Sequence, residues 1–146
     1  GIRVVNLRTG LVVSPQGGPL AAILPAFRAG LGGPWGNGRQ YMSWITLDDL
    51  VEAVSFLFLN ETVHGPVNLV SPQPVTNRQF ARALGRVLHR PSIMPSPAFA
   101  LRLLLGEMAD ELLLSSARVL PKRLQNAGFR FRDPDIEPAL RRLLAE

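Results

Sequence analysis

The apolar positions fall first into short strand-like runs and then into helical periods. Ile2, Val4, Val5 and Leu7, and after them Leu11, Val12 and Val13, are aliphatic and mostly β-branched. They predict a buried strand over residues 2–7 and 11–13, with Gly10 permitting a bend or a close backbone approach. The turn cluster Ser14-Pro15-Gln16-Gly17-Gly18-Pro19 precedes a helical pattern at Leu20, Ile23, Leu24 and Phe27 that runs to Ala29. Pro25 inside that pattern predicts a kink or a restart. A glycine-rich loop, Gly30 to Gly38, leads to a strand over Tyr41–Ile45 and then to a helix over Asp48–Asn60. Thr46 to Asp49 are expected to cap that helix, with the early acids Asp48 and Asp49 favouring its positive end. A short strand is predicted at Pro66–Val70. Thr76, with Gln79 three residues on, forms a capping box that opens a helix to about Arg90. Beyond Pro91, Pro95 and Pro97, helices are predicted at Ala98–Leu105, Asp110–Leu114, Ala117–Asn126 and Ile136–Leu144.

Strand–helix alternation up to residue 90 predicts an α/β fold with short parallel strands, and the remainder a mainly helical lobe. The expected division is therefore 1–90 and 91–146. The chain has 146 residues, of which 47% are hydrophobic and 18% charged, which excludes intrinsic disorder. Without a cysteine there is neither a disulfide scaffold nor a thiolate metal site. No run of 18 apolar residues spans a membrane. With Gly1 first and no signal peptide ahead of Ile2, the expectation is a cytoplasmic polypeptide cut from something longer.

The net charge of +5 lies entirely in residues 74–146, and fifteen of the sixteen basic residues are arginine. Arg78, Arg82, Arg86 and Arg90 recur every four residues on one helix, a stripe that suits an anionic partner such as an acidic protein or nucleic acid. No aromatic residues interleave with it to stack on bases, so a solvated face is the expected role and nucleic acid is not the expected partner. The glycine loop could cradle a phosphate, but Trp35 stands where a dinucleotide-binding pattern needs glycine, and no Gly-Lys-Ser/Thr follows. His64 and His89 lack metal-ligand spacing, and Ser43 lacks a nucleophile elbow.

Other runs carry a resemblance. Leu7-Arg8-Thr9-Gly10-Leu11-Val12-Val13, then Gly32-Gly33-Pro34-Trp35-Gly36-Asn37-Gly38-Arg39-Gln40, then Met42-Ser43-Trp44-Ile45-Thr46-Leu47-Asp48-Asp49-Leu50 follow one another in the order of an extended short-chain dehydrogenase/reductase. Gly65-Pro66-Val67-Asn68-Leu69-Val70 and Thr76-Asn77-Arg78-Gln79-Phe80 continue it. Phe99 to Ala109, Arg118-Val119-Leu120-Pro121-Lys122-Arg123-Leu124 and Gly128-Phe129-Arg130-Phe131 resemble one branch, the uncharacterised NAD(P)-dependent epimerase-like family, some of whose members are labelled cell division inhibitors.

The resemblance implies the C-terminal part of a Rossmann-like protein: residual strands, helices and a substrate-side loop in 1–90, and a family-specific segment in 91–146. It implies NAD or NADP in the intact protein and none in this chain. The Gly-x-x-Gly-x-x-Gly turn is missing, and the only tyrosine, Tyr41, and the only lysine, Lys122, cannot form a Tyr-x-x-x-Lys pair. The chain alone is thus expected to be inactive, with the missing N-terminal half as its partner. Gly10, Leu11 and Val12 are expected near the nicotinamide, and Arg39, Gln40, Ser43 and Trp44 on the substrate side, Arg39 as the anion-binding residue. Related nucleotide-sugar epimerases hold the diphosphate with an arginine where this chain has Met42, and have asparagine where it has Leu11. A strand left without its neighbour also invites homodimerisation through its edge.

Overall fold

A computed structural model describes residues 1–95, 98–107, 109 and 118–145. The first apolar run forms β1 (Val5–Thr9), and after Gly10 the second forms β2 (Leu11–Val13). They belong to different pairings. β1 lies parallel to β5 (Gly65–Leu69), with Val5 opposite Gly65 and Thr9 opposite Leu69. β2 lies parallel to β4 (Trp44–Thr46), with Leu11 opposite Trp44. Gly10 is the crossing point: its N–H donates to Leu69 O at 3.2 Å, and the next amide, Leu11, donates to Ser43 O at 2.8 Å. A Cβ on Gly10 would stand 2.6 Å from Ser43 O and 2.7 Å from Val70 Cγ1, so no other residue fits without displacing a strand.

The single strand expected over Tyr41–Ile45 is two. β3 (Tyr41–Met42) pairs antiparallel with β6 (Val75–Thr76), and Ser43 separates it from β4. The first run also differs from expectation: β1 is largely exposed rather than buried, with Leu7 46% exposed. Its sequence is that of an interior strand, and among the described residues only β5 pairs with it.

α1 (Gly18–Arg28) runs through Pro25 without a break, because Pro25 is exposed and Ala29 N–H still reaches Pro25 O at 3.1 Å. α2 (Leu47–Leu59) connects β4 to β5. α3 (Asn77–Leu88) starts with both capping-box bonds, Gln79 N to Thr76 Oγ1 at 3.2 Å and Thr76 N to Gln79 Oε1 at 2.8 Å. α4 (Ala98–Leu105) follows as expected. Of the helix expected over Ala117–Asn126, residues 118–121 are not helical and α5 covers Lys122–Asn126. The helix expected at Asp110–Leu114 lies outside the described residues. α6 (Ile136–Leu144) closes the chain. No helix among the described residues is long and apolar enough to cross a membrane.

Two apolar cores result. One joins α1, α3, α4 and α6 around Leu24, Phe27, Trp44, Leu84, Leu101 and Leu140. The other packs α2 and α5 on the parallel strands through Ile45, Ala53, Leu57, Val67, Leu69 and Leu124. Residues on both sides of position 90 contribute to each.

Asp48 and Asp49 do not cap α2 with their own side chains. Thr46 is the N-cap, its Oγ1 accepting from Asp49 N at 3.3 Å. The Asp49 carboxylate, 1% exposed, instead accepts the backbone N–H groups of Arg132 and Asp133, both at 2.9 Å. Asp133, 5% exposed, accepts from Thr46 Oγ1 at 2.9 Å and from Arg142 Nε at 2.9 Å and Nη2 at 2.5 Å. Arg142 Nη2 also reaches Asp48 at 2.8 Å. Burial works to raise the Asp133 pKa, but the hydrogen bonds from Arg142 and Thr46 and the nearby Arg142 and Arg132 charges outweigh it, and the net shift is downward. The bonds to Asp133 and Asp48 push the Arg142 pKa up in turn. This clamp ties α6 to the start of α2, a role the acidic pair could take only once residues 132–142 were folded beside it.

Candidate functional site

Parallel strands place ligands beyond their carboxyl ends, where loops diverge and backbone groups lose their ladder partners. A cavity of about 950 Å³ lies there, at the end of β1, along β2 and beside the ends of β3 and β5. Arg8 to Val12 form one wall, with Asn68 of β5 and Val70 just beyond it beside them. Gln16 to Pro19 bring the start of α1, and Tyr41, Met42, Ser43 and Leu47 the opposite side. Val119 closes one rim. Its N–H donates to Ser43 Oγ at 2.9 Å, while Asn68 Nδ2 donates to Leu120 O at 3.4 Å. The Arg118 guanidinium lies 5.3 Å from the centre of the Tyr41 ring. Residues 118–120 thus form a strap anchored on β5 and on the Ser43 turn. Among the described residues no three His, Asp or Glu converge to hold a metal ion.

The glycine loop contributes structure to this site from behind. A Cβ on Gly32 would meet the Phe27 ring at 2.4 Å, and one on Gly33 would meet Met94 O at 2.0 Å. These glycines admit close neighbours. The loop also finishes α3: Asn77 N donates to Gln40 O and Arg78 N to Gly38 O, both at 2.9 Å. Trp35, 2% exposed, is held by its own N–H on Asn77 Oδ1 at 2.6 Å.

Comparison with known proteins assigns the chain. A domain of unknown function, DUF1731, matches residues 96–143. An epimerase family protein of Mycobacterium bovis is 49% identical over 140 residues, 96% of this chain and 46% of that protein. One from Staphylococcus aureus is 38% identical over the whole chain and 48% of its own length. The chain belongs to the epimerase family proteins, as their C-terminal part. It spans about half the length of the curated relatives it matches. The crystal structure of the human epimerase family protein SDR39U1 (isoform 2) with NADPH superposes with a TM-score of 0.88 at 33% identity, over 97% of this chain and 48% of that one. UDP-glucose 4-epimerase of Thermus thermophilus, in complex with NAD, shares the fold with a TM-score of 0.67 at 19% identity. The Rossmann-like α/β class expected from sequence is therefore the observed one.

Within this epimerase-family fold the residues singled out in sequence separate. Gly10, Leu11, Val12 and Ser43 line the cavity. Trp44 is fully buried in the first core, its indole N–H donating to Gln73 O at 2.8 Å. Gln40 donates through Nε2 to Trp35 O at 3.2 Å, and Arg39 is exposed on the loop; neither lines the cavity. The helix expected to about Arg90 ends at Leu88; of the arginine stripe, Arg78 donates to Asn37 O at 3.0 Å, Arg86 pairs with Glu137, and Arg90, beyond the helix end, donates to Arg28 O at 3.0 Å. Most of that stripe is therefore engaged within the fold. Arg8 and the strap at Arg118–Leu120 were not singled out for the site. Arg8 carried a readable signal, a lone charge in an aliphatic run that nears the carboxyl end of a parallel strand. The strap carried none, because only the tertiary fold brings it across.

Proposed function

We propose that this chain is the substrate-side part of an NAD(P)-dependent epimerase or reductase, inactive alone, whose dinucleotide-binding turn and Tyr-x-x-x-Lys pair lie in a preceding half of the intact protein. The observation that carries this reading is the cavity at the carboxyl ends of parallel strands, in a sequence that has no dinucleotide turn to serve it. NADPH and NAD in the two solved relatives support it. So does the exposed side of the chain. Leu47, Val51, Val54 and Phe58, spaced 4, 3 and 4 apart on α2, are between 41% and 79% exposed, and the β1 edge is unpaired among the described residues. A strand edge and an apolar helix stripe together suit an α/β partner. That partner is the family's N-terminal half, and a second copy of this chain is the competing occupant.

The residues present fit one end of a dinucleotide. Leu11, Val12 and the backbone at Gly10 offer a flat apolar surface for a nicotinamide ring, whose bound form supplies hydride exchange. Ser43 holds the strap and faces the substrate space, while Arg39, Gln40 and Trp44 support that side from the loop and the core. Residues 91–146 contribute the strap and the clamp, residues 1–90 the cavity wall, and the cytoplasm is the proposed compartment. Fluorescence titration with NADPH tests the reading. The chain alone should show no saturable binding, and the chain co-expressed with the N-terminal half of the mycobacterial relative should bind at micromolar concentrations. Micromolar binding by the chain alone contradicts it.

A further inference from the structure

We propose that the cavity selects a small, largely apolar molecule bearing one anionic group, a carboxylate or a phosphate, and that Arg8 is the residue that recognises that group. The inference rests on reading the cavity as the substrate side and names the class of substrate. Among the described residues Arg8 is the only charged side chain lining it, and no carboxylate of those residues does. Several arginines are committed to structure, whereas Arg8 lines the cavity. Arg142 and Arg86 are in ion pairs, Arg3 donates to the carbonyls that end α2, and Arg123 donates to His64 O. Arg8 is exposed on β1 opposite Asn68 and makes no hydrogen bond or ion pair among the described residues. A guanidinium left unpaired at a cavity wall is a bidentate site for an oxyanion.

The apolar part of the lining defines the body of the ligand. Leu11, Val12, Met42, Leu47, Val70 and Val119 are apolar. A single lining cation matches one carboxylate or phosphate rather than a diphosphate. Arg118 does not line the cavity but lies over the ring of Tyr41, which does, and so adds positive charge from behind that wall. The start of α1 also opens on the cavity at Gly17 and Gly18, with no side chain capping it, so the local field favours an anion throughout.

Three probes with one body separate the possibilities: hexanoate, hexyl phosphate and hexanol, titrated into the 146-residue chain and followed by amide shifts. Both anions should bind about tenfold more tightly than hexanol, with the largest shifts at Thr9 to Val12, Ser43 and Val119. The tighter of the two anions identifies the group. Arg8→Gln should abolish the preference and leave hexanol binding unchanged. Arg118→Gln should reduce it about threefold, with amides remote from the cavity unmoved in both variants. Equal affinity for hexanol, shifts centred on α3, a preference that survives Arg8→Gln, or no saturable binding would each overturn the proposal. The readout contains no pyridine nucleotide, so it stands or falls separately from the NADPH titration.

Discussion

The two sides of the molecule are built on opposite terms. Around α1, α3 and α6 the apolar faces meet one another, and Leu24, Phe27, Leu84 and Leu140 are at most 4% exposed. On the β1–α2 side the same kinds of residue look outward, with Leu7 46%, Val51 56% and Phe58 79% exposed. Composition does not separate the two regions; whether a partner element lies within the chain does. A helix that is apolar almost all round is a helix with two neighbours. Among the described residues α2 packs on one side only, on the parallel strands and Phe129, and the clamp at its N-terminus holds it there with its outer stripe presented.

Substitutions on the two sides should therefore differ sharply in cost, as urea unfolding monitored by circular dichroism will measure. Leu84→Ala, at a fully buried position where α3 meets the first core, should cost about 4 kcal/mol, because a cavity replaces packed atoms. Asp133→Ala should cost about 3 kcal/mol, since Arg142 and Thr46 lose a buried partner together. The same carboxylate sets an acid limit. Its folded-state pKa lies below the ordinary 3.8, so its contribution is fully present above that value and is lost as the pH falls through the folded pKa. In the Asp133→Ala variant the acid side of the stability profile should flatten in that window. Thr76→Ala removes one half of the α3 capping box and should cost about 1 kcal/mol. Phe58→Ser, on the outward stripe, should change the stability of the isolated chain by less than about 0.5 kcal/mol. A loss at Phe58 comparable to that at Leu84 would mean that the stripe is already covered, by a second copy of the chain.

Local patterns in the sequence carried most of the fold. The capping box at Thr76, the periodicity of α1 and α6, and the β-branched run of β2 are signals spanning a few residues, and the elements follow them. What depended on distant chain was not legible. Asp49 reads as a helix cap because its partners, the amides of Arg132 and Asp133, lie more than eighty residues away. The Gly32–Gly33 pair reads as a turn-rich loop, and only the fold shows that Phe27 and Met94 need the space. β1 reads as buried because its composition is that of an interior strand, yet no second strand pairs with it among the described residues. At the cavity, Gly10 to Val12 were legible through the family order of motifs. The strap at Arg118–Leu120, which completes the rim, was not.

On the proposed function, the β1–α2 face is where the cofactor-bearing half of the intact protein docks. Hydrogen–deuterium exchange on the chain, alone and co-purified with the N-terminal half of the mycobacterial relative, tests it most directly. New protection should appear at the amides of β1, whose outer edge would gain a ladder, with α3 unchanged. Protection confined to α3, or none at β1, would contradict it.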